Sequence, residues 1–132
     1  MQHQTIIKLD THPVILATLQ NGFDFATDWP EGEQEIGHIL STHPGPLFLV
    51  SDIRGMTLSL DDLLAAASLG SRGQAPIWHH PKIRGVYFIS DSTIIKMAAA
   101  GLNSPTFGNT KTRVFASVEE ALADIEQAVA TA

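Results

Sequence analysis

The chain contains no cysteine among its 132 residues. That excludes a disulfide framework, thiol catalysis and any zinc site built on thiolates. Bases are scarce: 8 Lys and Arg stand against 14 Asp and Glu, for a net charge of −6. Phosphate backbones need a basic face, so nucleic acid is not an expected partner. No apolar run approaches the roughly 20 residues of a membrane span, so no membrane is expected either. The opening "MQHQTIIKLD" has no basic stretch followed by a signal-type apolar core, which makes the cytoplasm the expected compartment. Also lacking are G-x-G-x-x-G, a Walker loop, a G-x-S-x-G elbow and H-E-x-x-H. Dinucleotide oxidoreductases and P-loop NTPases therefore drop behind other readings.

What remains is 44% hydrophobic and 17% charged, the balance of a compact protein with a real core. The length suits a single domain over residues 1–132, with no repeat, low-complexity tract or linker. Charge is unevenly spread. Asp24, Asp28, Glu31, Glu33 and Glu35 form an acidic stretch with no base among them, whereas Lys82, Arg84, Lys96 and Lys111 face only Asp91. Solvated faces and helix-dipole matching account for this; opposed patches for self-association or a partner are the sharper alternative.

"TIIKL" and "VILATLQ" predict a hairpin across Asp10 and Pro13, and Asn21-Gly22 marks a further turn. A helix is expected from Asp28, a potential cap, to about Thr42, with Trp29, Ile36, Ile39 and Leu40 near one face. "LFLVSDI" has the unbroken apolar character of a strand covered on both faces. A helix near Ser59 follows, with Leu60, Leu63, Leu64 and Ala67 as its core stripe. The loop "SRGQAPIWHHPKI" leads to the strand "RGVYFIS" and to a helix capped by Ser90 or Asp91. After "TRVFA", Ser117 and Glu120 read as a capping box before a last helix striped by Val118, Ala121, Leu122, Ile125 and Val129. The order β-β-α-β-α-β-α-β-α predicts an α/β fold with a mixed, mostly parallel sheet of about five strands and four helices.

Asp52 and Asp91 each end a central strand, at the edge where open α/β sheets bind ligands at a topological switch point. Arg54 stands beside the first, and Ser90, Ser92 and Thr93 crowd the second. Capping explains such residues by itself; a polar rim that meets a partner or an anion is the functional alternative. As an enzyme the chain would need Asp52 or Asp91 as base beside Arg54 or Lys96, a common and nonspecific pairing, so no catalysis is expected. The six histidines have poor ligand spacing: His79 and His80 are adjacent, and His38 and His43 lie across a helix end. Neither a metal nor a cofactor is expected.

With this element order, the strand exit "LFLVSDIRG" and the terminal "RVFASVEEALADI", the chain resembles the STAS domains. These are SpoIIAA-like anti-sigma-factor antagonists, including the small stand-alone bacterial proteins of that type. The resemblance spans nearly the whole chain. It implies a SpoIIAA-like fold and a regulatory, protein-binding module without enzymatic activity. It also implies a kinase-like or sigma-pathway partner, and control by phosphorylation of a Ser after the central strand. An ungapped alignment puts Asp61 near that Ser, with Ser59 two residues earlier; Thr57 is the other hydroxyl at the helix mouth. The expected partner surface is Asp52, Arg54, Thr57, Ser59, Asp61 and Asp91. An alternative on the same fold is a small-molecule or lipid-binding protein whose pocket is lined by Phe23, Phe25, Trp29, Trp78 and Met97, although aromatics are more often spent on core packing. A homodimer through the hairpin's exposed edge is compatible with either.

Overall fold

An unbroken apolar strand needs cover on both faces, and the computed structural model, which describes residues 3–71, 77–103 and 112–130, puts "LFLVSDI" mid-sheet. The strands are β1 (Gln4–Lys8), β2 (Val14–Gln20), β3 (Leu47–Gly55), β4 (Ile83–Ile89) and β5 (Thr112–Phe115). The helices are α1 (Asp28–Thr42), α2 (Leu60–Ser71), α3 (Thr93–Leu102) and α4 (Val118–Ala130). The sheet order is β1-β2-β3-β4-β5, antiparallel at the first pair and parallel thereafter. This is the expected α/β architecture with an antiparallel edge. One expectation fails: the order never reverses, so the sheet has no topological switch point at Asp52 or Asp91.

Period-2 alternation sends each strand's side chains to two separate cores. Ile15, Ala17, Leu47, Leu49 and Val86 pack under α1 through Ile36 and Leu40, with Trp29 and Ile39 partly buried against them. Val14, Phe48, Val50, Tyr87 and Ile89 pack under α4 through Ala121 and Ile125. Lys82 donates from Nζ to the carbonyl oxygens of Leu40 and His43, placing a cation at the negative end of α1.

Several local expectations are corrected. Asp28 is the first residue of α1, and its carboxylate accepts from the Asp24 N–H at 2.8 Å. Ser92 caps α3, while Ser90 Oγ accepts from the Ser92 N–H. Ser90 directly follows β4, with its N–H donating to the Phe115 carbonyl at 2.9 Å, and the side chain with cap geometry lies two residues later. The predicted loop before β4 contains a 3-10 turn, Ile77–His79, which carries Ile77 and Trp78 into the core. Leu64 is 55% exposed, because α2 meets the interior near Ala66, about 200° around the helix. Leu60, Leu63 and Ala67 have side chains outside the described residues. The α4 stripe continues to Ala128, leaving Val129 exposed. The capping box forms with a shift: Ser117 Oγ accepts from the Glu120 N–H, and the Glu120 carboxylate accepts from the Ala116 N–H. At Asn21-Gly22 the backbone needs φ 98°, and a side chain there would also strike the His3 ring.

The chain's single tyrosine, Tyr87, ties the α4 layer together by donating to Asp124 Oδ2 at 2.8 Å. Burial first, then the Asp124 carboxylate, pushes its pKa up from 10.0 to about 12. A raised folded pKa means the stabilisation is complete below the unfolded value of 10.0 and fades as pH climbs toward 12. The tyrosinate absorbance of the native protein should accordingly titrate near 12, and lower in Asp124→Asn. A midpoint near that of free tyrosine would show that neither the burial of Tyr87 nor this bond persists in solution.

Candidate functional site

Small side chains leave space where large ones would fill it. Ala17 and Ser51 are cross-strand partners at the centre of the sheet. Both face the layer of α1, α2 and α3, which meets them with Gly32, Ala66, Ala98 and Ala99. Among the described residues these small side chains border a cavity of about 110 Å³ between sheet and helices. Ile6, Leu19, Leu49, Ile53 and Ile95 complete a mainly apolar lining.

One side of the cavity is aromatic. Phe23 meets Phe25 edge-on at 5.3 Å between centroids, and Phe25 lies 6.2 Å from Trp29. Trp29 meets Trp78 at 5.8 Å, and Trp78 meets Phe88 at 5.5 Å. All five rings line the cavity. Both tryptophans of the chain are among them, so tryptophan fluorescence, excited selectively over Tyr87, reports on this site. Met97, the remaining expected pocket residue, is 70% exposed on the outer side of α3, since Ile95 and Ala98 take the inward positions.

Polar groups are few. Trp29 Nε1 is buried without a hydrogen-bond partner, a rare and costly condition for an indole N–H. Glu33, one helical turn later, is half-buried in the same wall. Its burial raises the carboxyl pKa above 4.5, against the opposing pull of the Trp29 and Ile77 N–H groups. Gln4 is anchored through Nε2 to the Asp28 carbonyl at 2.7 Å.

The expected partner surface divides between two places. Asp52 accepts from Arg54 Nε at 3.0 Å and Nη2 at 2.8 Å, and this bidentate pair holds its carboxyl below the ordinary value. Asp52 lies in register with Thr18 and Ile89, hence on the α4 side of the sheet. There Arg54 also feels Asp91 and Glu119. Thr57, Ser59 and Asp61 lie along the passage from β3 into α2, all exposed. The Thr57 N–H donates to Asn21 Oδ1. Ser59 and Asp62 form a reciprocal capping box, with Ser59 Oγ accepting from the Asp62 N–H at 3.1 Å and the Asp62 carboxylate accepting from the Ser59 N–H at 2.9 Å. The intervening Met56 and Leu58 turn inward to line the cavity. The β3 exit therefore serves as both a helix cap and a cavity rim. Sequence reasoning named four of the rings but missed Glu33 and the small residues; the breaks that Ala17 and Ser51 make in apolar runs were the available signal.

Among the described residues no three His, Cys, Asp or Glu side chains group as a metal site, and no helix is long and apolar enough to cross a membrane. No protein-family model and no curated protein matches the chain. A solved structure does: an uncharacterized protein from the DUF3478 family with a SpoIIAA-like fold, from Shewanella loihica PV-4. It shares 17% identity with a TM-score of 0.56, over 92% of this chain and 91% of that one. The chain has a SpoIIAA-like fold.

Proposed function

We propose that this protein is a non-enzymatic binding module whose cavity takes a compact apolar small molecule. The observation that carries the reading is the void at Ala17 and Ser51, ringed by aromatics and holding a buried indole N–H without an acceptor. A well-packed core fills such space with side chains. Apolar cavities of about 150 Å³ stay dry and admit benzene, and this one, at about 110 Å³, belongs to the same size class. Titrating benzene into the protein by calorimetry tests the reading: saturable one-to-one uptake supports it, and absence of heat up to solubility contradicts it.

A regulatory role through a protein partner has one specific observation in its favour. Exposed Arg54 gathers the charges of Asp52, Asp91 and Glu119 at the rim, a polar surface of the kind that sets partner choice. Combined charge reversal, Arg54→Glu with Asp61→Lys, should abolish capture of such a partner, a kinase-like or sigma-pathway regulator. Undiminished capture would remove this surface from consideration.

A further inference from the structure

Resting on the cavity reading, we propose that the site selects uncharged ligands bearing a hydroxyl, held between Trp29 Nε1 and the Glu33 carboxyl. The two groups lie four residues apart on α1, the spacing that puts side chains on one helix face. The indole N–H has no acceptor, and an indole can only donate. The Glu33 carboxyl lines the same cavity wall, yet it lies outside hydrogen-bonding geometry with the indole N–H.

A ligand head that satisfies both must accept from the indole and donate to the carboxylate. A hydroxyl does both through one oxygen. A carboxylate head accepts from Trp29 but adds a negative charge beside Glu33, in the acidic stretch of Asp24, Asp28, Glu31 and Glu35. An ammonium head suits Glu33 but has no lone pair for the indole, which stays unsatisfied. Apart from Gln4, whose Nε2 is held by the Asp28 carbonyl, and Ser51, the rest of the lining is apolar and the volume small, so the body of the ligand is a single ring or a short chain. Apolar enclosure is therefore general, whereas the choice of head rests on two residues.

Calorimetric titration with benzene, 1-hexanol, hexanoate and hexylamine separates these contributions. Expected is saturable binding of benzene and 1-hexanol, with 1-hexanol about tenfold or more tighter than hexanoate and hexylamine. Trp29→Phe keeps a ring in the wall but removes the N–H; it should retain benzene and lose the preference for 1-hexanol. Glu33→Gln should narrow the gap between 1-hexanol and hexanoate. Uptake of benzene with equal affinity for the three headed probes would overturn this inference and leave the cavity reading standing. Failure of every probe, benzene included, would overturn both.

Discussion

Ala17→Leu should abolish uptake of benzene and of short alcohols while leaving the protein at least as stable as before. Ala17 is 5% exposed and points into the void from mid-sheet. Leucine adds three carbon atoms there, into space of about 110 Å³, so the graft fits without displacing Ser51 or the helices opposite. Burying them contributes about 1–2 kcal/mol of stability, at roughly 0.8 kcal/mol per methylene less some rotamer strain. Thermal unfolding should then show a melting temperature raised by several degrees, with ligand affinity down by two orders of magnitude or more. The combination is diagnostic. A large side chain placed in a filled core destabilises by about 1–3 kcal/mol, so a fall in melting temperature would show that the space is not there.

Ile125→Ala should produce the largest loss of stability, about 2–5 kcal/mol by urea denaturation. Ile125 is fully buried, the centre of the α4 stripe over Val14, Phe48, Val50, Tyr87 and Ile89. Truncation removes the transfer free energy of three carbons and leaves a hole that a regular sheet cannot close around. Against a typical total of about 5–15 kcal/mol this is a large fraction. Val129→Ala, four residues along the same helix, should change little because Val129 is exposed. The cavity lies on the opposite face of the sheet, so the folded Ile125→Ala protein should still take benzene with nearly unaltered affinity. A parallel loss of ligand binding would mean that the two layers are coupled through the strands.

The order of elements was legible because each carries its own local signature. Leu47–Ile53 has no alternation because both its faces are covered, and Asn21-Gly22 announces a turn that needs a positive φ. Trp78 reads as a loop residue because a three-residue 3-10 turn leaves no periodic trace. The chemistry of Met97 alone suggests a pocket residue and cannot reveal that α3 turns Ile95 and Ala98 inward instead. The cavity itself was not legible. Ala17, Gly32, Ser51, Ala66 and Ala98 lie far apart in the chain and become neighbours only when the strands pair and the helices close over them. What the sequence offered there was a set of aromatic residues, whose commoner use is packing. Likewise, the polar residues at the β3 exit read as one surface, yet strand alternation sends Asp52 to the α4 side while Ser59 caps a helix of the other layer.

Native mass spectrometry of the protein purified gently from its own cells tests the central claim most directly. The account predicts a one-to-one adduct of a small, uncharged, mainly apolar molecule, present in the wild-type protein and lost in Ala17→Leu. A bare polypeptide mass in repeated wild-type preparations, or an adduct that survives Ala17→Leu unchanged, would contradict it.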